Sequence, residues 1–481
     1  MIRSVKVQKR KSSGVIDKKL KTNMMYNMAY QVLTILLPIV LSPYLARVLG
    51  ADGIGEYNYT FTIASYFSLF CILGIRTYGN RECAIKRENR NALSTTFWSI
   101  YIVQLVSSVI TVVVYIIYIY AIAHEYQKLL IIQGIYILSV VLDITWLFYG
   151  LEQFKKIVIR NIIVKLGILL TVLTFVKTSD DVWIYCLCMA LSALFSQIAI
   201  WPFALKYVDK VTIHKQDIRL HLCPVLSLFI PVIGVSIYSG IDKLMIGQMI
   251  DMQSVGFYSN AEGLVKLPYG IVTAITAVML PRLSLLISRK EFKKNREYVH
   301  STMKLNMAIA LPICFGLAAI APELVPWYYT EEFIKCISLI QMLVVIILFL
   351  AWTEVLQSHY LIPMRMDKVL MKAAIIAAVF NVAANFVMIP RLGVEGAVWG
   401  TILTEGIVMI YKTFHARKSI CLFQAFKELV PYFILSVFMF LLVRLIGFNM
   451  GVTGMLTTFI QVAAGAVMYG AGVLILHLIG R

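Results

Sequence analysis

Apolar residues run along this chain in long blocks broken by short polar stretches. Blocks of about 17–25 residues, the length that carries a helix across a bilayer, predict about fourteen spans. By that criterion they centre near residues 35, 65, 106, 138, 166, 192, 232, 265, 308, 347, 379, 404, 438 and 468. The loops between them are mostly short, and none is long enough to hold a soluble domain. The expected fold is an all-α polytopic membrane protein.

Polar residues inside the apolar blocks are the informative ones. The stretch from Ser236 to Pro281 reads as two spans joined by a turn, yet it holds Asp242, Lys243, Glu262 and Lys266. An ionisable group at the bilayer centre costs about 2.5–3.5 kcal/mol on insertion scales, so a chain keeps one only where it faces a bundle interior or a water-filled cavity. Ser259, Glu262, Lys266, Tyr269, Thr273 and Thr276 recur at intervals of three and four, which places them on one helix face. Leu264, Val265, Ile271, Val272 and Ile275 occupy the other. Ser236, Ser239, Lys243 and Gly247 form a similar stripe on the preceding span. Two polar stripes with buried cations predict a wet lumen that accepts an anion. The competing reading is an internal Glu262–Lys266 pair at i,i+4 that only neutralises itself.

Composition supports the membrane reading. The 481 residues are 60% hydrophobic and 14% charged, with a mean hydropathy of +0.81; soluble domains carry about 25% charged residues. A net charge of +19 could be taken for a nucleic-acid footprint, but the basic residues sit in short loops between spans rather than in a basic, aromatic-rich soluble face. Roughly 35 of the 44 Lys and Arg fall on one side of the fourteen-span topology, which the positive-inside rule makes cytoplasmic. Both termini are then cytoplasmic, which requires an even number of spans. Residues 1–21 are basic and hydrophilic, and the apolar run that follows is too long for a signal-peptide core, so it is read as a retained first span.

Other candidates are weaker. Lys165 lies about five residues inside its span and reaches either the lumen or, by snorkelling, the cytoplasmic surface. Arg47 suits an interfacial anchor. Glu405, Glu354 and Asp143 are buried acids that serve either an ion relay or a hydrogen-bonded helix contact. Trp146, Tyr149, Trp327, Tyr328 and Tyr329 read as interfacial belts. The cysteines, Cys186-x-Cys188 included, lack zinc or redox spacing and read as free thiols. No metalloprotease helix, Gly-rich phosphate loop or nucleophile elbow is present, so enzyme chemistry and ATP hydrolysis by this chain are not expected, and no cofactor is expected.

The chain also echoes itself. Gly50-Ala-Asp-Gly-Ile-Gly-Glu-Tyr-Asn-Tyr is followed about two hundred residues later by Asp251-Met-Gln-Ser-Val-Gly-Phe-Tyr-Ser-Asn, which places a site between two parallel repeats. In this register Gly55 meets Gly256 and Tyr57 meets Tyr258, while Phe61 stands where the second copy has Glu262.

These residues carry a resemblance. Leu45-Ala-Arg-Val-Leu-Gly-Ala-Asp-Gly-Ile-Gly-Glu-Tyr, Leu73-Gly-Ile-Arg-Thr-Tyr-Gly-Asn-Arg-Glu, Ile241-Asp-Lys-Leu-Met-Ile-Gly, Val255-Gly-Phe-Tyr-Ser-Asn-Ala-Glu and Val278-Met-Leu-Pro-Arg-Leu look like the polysaccharide-unit flippases of the Wzx type. That family belongs to the multidrug/oligosaccharidyl-lipid/polysaccharide exporter superfamily. The resemblance implies two six-helix bundles in a V around a central cavity, with two further helices. On this chain the bundles map to residues 22–207 and 219–418, after the basic segment 1–21, and the additional helices to 427–481. It implies a flippase for undecaprenyl-diphosphate-linked oligosaccharide in the bacterial cytoplasmic membrane, serving capsule, O-antigen or exopolysaccharide assembly, with polymerase and other assembly proteins as partners. Lys266, Lys243 and Lys165 become the candidate substrate contacts. Glu262, Asp242, Glu405 and Glu354 become the candidates for charge balance or for coupling to H+ or Na+. Two alternatives remain: a drug/cation antiporter or lipid II flippase of the same superfamily, and a membrane polysaccharide polymerase.

Overall fold

The computed structural model describes residues 2–417 and 422–479, with side chains from residue 36 onward apart from 237, a scatter of positions between 274 and 288, and 422, 423 and 479. Cys421 and the expected end of the second bundle at residue 418 lie outside the described residues. The other seven cysteines are free. Every regular element among the described residues is helical. Eleven of these helices are long and apolar enough to cross a membrane, or twelve if the bent pair Glu331–Leu343 and Val345–Leu361 forms one span. The chain is a multi-pass membrane protein. The expected count of fourteen spans is not confirmed. The blocks centred near residues 35 and 65 fall on α1 (Ile2–Ile72), which is two helices joined across a kink at the non-helical Gly50.

The chain divides into two units, Met1–Leu41 with Ile63–Val232 and Ser42–Thr62 with Ile233–Arg481. In the first unit the helices after α1 are α2 (Ile75–Lys86), α3 (Arg90–Ala121), α4 (Gln127–Val141), α5 (Thr145–Gly150), α6 (Phe154–Phe175), α7 (Val182–Ile198) and α8 (Trp201–Ala204). Helix α4 ends at Val141, and two residues on, at Asp143, apolar side chains give way to a polar knot. Arg76 pairs with Asp143 at 3.0 Å. The other Asp143 oxygen accepts from the Thr145 amide and hydroxyl, which starts α5. Gln104 donates to the carbonyls of Val140, Val141 and Asp143 at the junction of α4 and α5. Asp143 is therefore a helix-junction residue. Trp146 is fully buried, and a Cβ on Gly79 would come within 2.5 Å of its ring. Trp146 belongs to the core, not to an interfacial belt.

The second unit contains α9 from residue 233 on (Lys215–Met249), α10 (Met252–Ser288), α11 (Phe292–Tyr328), α12 (Lys335–Leu343), α13 (Val345–Leu356), α14 (Asp367–Leu392), α15 (Val394–Ala416), α16 (Leu422–Met450) and α17 (Met455–Ile479). It also takes residues 42–62 of α1. The two copies of the sequence echo meet inside this unit. A Cβ on Gly55 would stand 1.8 Å from the Met252 carbonyl oxygen, and one on Gly256 would stand 2.0 Å from the Ala51 carbonyl oxygen. Ala51 and Met252 are equivalent in the repeat register, so the contact is reciprocal: each copy's glycine sits on the other copy's backbone. Only glycine permits this approach.

The copies differ in how they begin. Asp251 accepts from the Ser254 amide at 2.7 Å and caps its own helix. Its counterpart is Gly50, which has φ 68 and no side chain to cap with. Glu332, from elsewhere in the chain, accepts from the Ala51 amide at 2.9 Å instead.

Helices α16 and α17 are tied to α11 by a buried polar knot. Arg444 donates to both Glu323 oxygens at 2.8 and 2.9 Å and to the Ala319 carbonyl. Gln461 donates to Glu323 at 3.2 Å. Gly447 leaves room for both Glu323 and Gln461.

Candidate functional site

A cavity of about 280 Å³ lies inside the second unit. Its wall includes Ser239, Asp242, Glu262, Lys266, Tyr269 and Glu405, all singled out from the sequence, with Tyr238, Asn381, Thr401, Thr404, Ile346 and Leu350. The local sequence explains the convergence. Helices α9 and α10 are joined by a short turn at residues 250 and 251 and run back alongside each other. Lys243 lies eight residues before Asp251 and Glu262 eleven after it, so at 1.5 Å per residue both stand about 12–16 Å from the turn. Lys266 is one helical turn beyond Glu262.

Glu262 is held by two ammonium groups. Its Oε1 accepts from Lys266 Nζ at 2.6 Å, and its Oε2 lies 3.0 Å from Lys243 Nζ. The Lys266 side chain is 47% exposed, Lys243 21% and Glu262 10%. The Glu262–Lys266 pair read from the i,i+4 spacing is present, with a second lysine on the same carboxylate, and it stands in a cavity wall. The trio carries one net positive charge.

Asp242 is held differently. Its oxygens accept from Asn385 Nδ2 at 2.5 Å, the Tyr258 hydroxyl at 2.8 Å and the Thr401 hydroxyl at 3.0 Å. These donors come from α14, α10 and α15, all are neutral, and Asp242 is 4% exposed. Glu405, 6% exposed, faces the same cavity.

A second polar group involves Glu354. Its Oε1 accepts from Ser358 at 2.7 Å and Thr276 at 3.2 Å. Ser358 lies in a π-helical turn, Gln357–Leu361, that follows α13. Gln357 accepts from Lys412 Nζ at 2.9 Å, and His359 Nε2 lies 3.2 Å from the Thr276 carbonyl oxygen.

The remaining predicted residues are placed as follows. Thr276 is fully buried against Glu354. Thr273 is half-buried and donates to the Gly270 carbonyl. The Ser259 hydroxyl oxygen is buried, and Ser236 is half-buried, its carbonyl accepting from Ser239. Lys165 belongs to the first unit, where it is half-buried on α6. Sequence reading missed Asn381, Asn385, Thr401 and Lys412. The pair Asn381-x-x-x-Asn385, one turn apart in an Ala- and Val-rich span, was the available signal. Lys412 has none, because seven residues from Glu405 and near a span end it reads as a snorkelling cation.

A sequence model of one family, described as polysaccharide biosynthesis protein, matches residues 20–287. A protein of Shigella dysenteriae whose name proposes an O-antigen transporter is 23% identical over 389 residues, 78% of this chain and 94% of that one. A like-named protein of Escherichia coli (strain K12) is 24% identical over 270 residues, 55% of this chain and 65% of that one. Among solved structures, lipid II flippase MurJ in an inward closed conformation is similar with a TM-score of 0.73 and 16% identity, covering 96% of this chain and 100% of that one. An inward-facing multidrug resistance transporter of the MATE family gives 0.61 at 15% identity, over 82% and 94%. At these identities the structural likeness shows the fold alone, a helical architecture like that of MurJ and of the MATE transporter.

Proposed function

This chain belongs to the family of polysaccharide biosynthesis proteins, and from that premise we propose that it is a flippase. It turns undecaprenyl-diphosphate-linked oligosaccharide units from the cytoplasmic to the outer leaflet of the bacterial cytoplasmic membrane, for capsule, O-antigen or exopolysaccharide assembly. Its two bundles, residues 22–207 and 219–418, alternate access to the site, and both termini are cytoplasmic. Other polysaccharide-assembly proteins are its partners.

One observation carries the reading: two lysines from adjacent helices share one carboxylate, and that carboxylate and Lys266 line a cavity. Three ionisable groups at that depth are costly unless used. The cargo has a diphosphate that cannot cross hydrocarbon unaided, a sugar that needs hydroxyl and amide partners, and a lipid tail that stays in the bilayer. Lys266 and Lys243 supply compact charges for the phosphates. Ser239, Tyr269, Asn381 and Thr404 supply neutral polar groups for sugar hydroxyls. Lys165 is a further phosphate contact. Asp242 and Glu405, with Glu354 behind them, balance charge or bind the coupling ion. A buried carboxylate held by neutral groups suits a proton or a sodium ion.

The test is Lys266→Ala. Polymer export should be lost while the protein still inserts and accumulates. Lys266→Arg should be milder, because the charge survives. Full export by Lys266→Ala would remove the lysine from the mechanism. Deletion of the gene should leave one lipid-linked glycan accumulating on the cytoplasmic face, and its structure would identify the cargo.

A further inference from the structure

We propose that Glu262 is a resident stand-in for the cargo's phosphates: it occupies Lys243 and Lys266 in the empty carrier and weakens their hold on cargo, so that cargo can leave. The inference rests on the reading of those lysines as the diphosphate contacts.

The contrast between the two carboxylates of the cavity carries the argument. Asp242 is held by neutral donors from three helices, with no lysine among them. The fold can therefore hold a buried carboxyl group without engaging either lysine. Glu262 is bonded to the two ammonium groups, one oxygen each, at 2.6 and 3.0 Å. It is held by the groups a phosphate would claim. Its two oxygens bridge cations from two helices, as neighbouring phosphate oxygens would. Lys266 is half exposed in the cavity, so an arriving anion reaches it without unfolding anything.

Charge arithmetic makes Glu262 a competitor. A diphosphate diester carries one negative charge on each phosphate, and two lysines balance it. Glu262 is then a surplus negative charge. Being one turn from Lys266 on the same helix, it cannot withdraw far. Bound cargo thus meets both competition for the ammonium groups and repulsion from the displaced carboxylate. A carrier needs both properties: binding strong enough to load and weak enough to unload. When cargo departs, Glu262 closes on both lysines again, and the empty site returns without two unpaired cations.

The experiment uses the purified full-length chain and farnesyl diphosphate, a short polyprenyl diphosphate, as probe, with farnesol as the control for the tail. Glu262→Gln removes the competing charge and should bind farnesyl diphosphate roughly ten- to a hundredfold more tightly than wild type, the worth of a charge-assisted hydrogen bond. Glu262→Asp keeps the charge and should bind within a few fold of wild type. Farnesol should not distinguish the variants. If Glu262→Gln binds equally or more weakly while wild type binds, Glu262 merely positions the lysines and the proposal falls, with the flippase reading intact. If neither binds, the lysines are not diphosphate contacts and both fall. Should Glu262→Gln prove unstable, the rise in its thermal midpoint on adding farnesyl diphosphate decides: a larger rise than in wild type supports the proposal, and an equal or smaller one overturns it.

Discussion

Glu262 and Asp242 are two buried carboxylates in one cavity wall with different neighbours, and they should answer differently to substitution. Asp242→Ala would remove the acceptor that Asn385, Tyr258 and Thr401 share, leaving Asn385 only the longer bond to Asn381 at 3.3 Å and Tyr258 and Thr401 only each other and the Ala397 carbonyl. One buried group left unsatisfied costs about 1–3 kcal/mol. The thermal midpoint of the purified protein should fall clearly for Asp242→Ala and less for Asp242→Asn, which keeps an acceptor oxygen. An unchanged midpoint for the alanine variant would mean that water replaces the carboxylate at no cost. At this scale the sequence was readable where spacing is local. Glu262 and Lys266 share a face by arithmetic, and so do Ser259 and Tyr269. It was unreadable where partners are remote: nothing in the sequence around Asp242 announces Asn385 or Thr401, 143 and 159 residues away.

Two contacts between elements invite direct measurement. The first is the glycine crossing of residues 51–57 with 252–256. Gly55→Ala and Gly256→Ala each force the same two backbones apart, so each should destabilise the protein, and the double variant should cost much less than the sum. Strict additivity in a double-mutant cycle would mean that the two contacts are independent. The second is the Glu323–Arg444–Gln461 knot that ties α16 and α17 to α11. Arg444→Met leaves a buried carboxylate without its cation, a loss of about 3–5 kcal/mol. Glu323→Gln combined with Arg444→Met should recover most of it, measured by denaturation in mixed micelles. The sequence echo was visible because both copies keep Gly-x-Tyr, but a short echo does not say that the copies touch. Their contact depends on backbone approach, which leaves only the glycines as a trace. The Gly50 break needs only one non-helical residue, because Glu332 satisfies the Ala51 amide that the break exposes.

At the scale of the whole molecule the polar stripe on α10 predicts hydration deep in the bilayer. A cysteine at Thr273, in a background without other cysteines, should react with a water-soluble, membrane-impermeant thiol reagent in at least one state of the transport cycle. Resistance under every condition, cargo present or absent, would mean that the stripe is dry. Reporter fusions at the two ends should both report the cytoplasm, as the loop charges require; opposite sides would overturn the even span count.

Composition and periodicity alone determined that this chain is helical, lies in a membrane and carries ionisable groups where hydrocarbon should be. Those conclusions follow from transfer energies and helical repeat, which act over a few residues and need no knowledge of partners. The sequence also determined that Glu262 and Lys266 meet. Only the tertiary structure decided that Lys243 joins them, that Asp242 is held by neutral donors, and that Lys412 is drawn inward to Gln357. Each of these depends on which distant helices pack together, and packing is selected by shape and by the pairing of buried polar groups across the fold rather than by any local pattern.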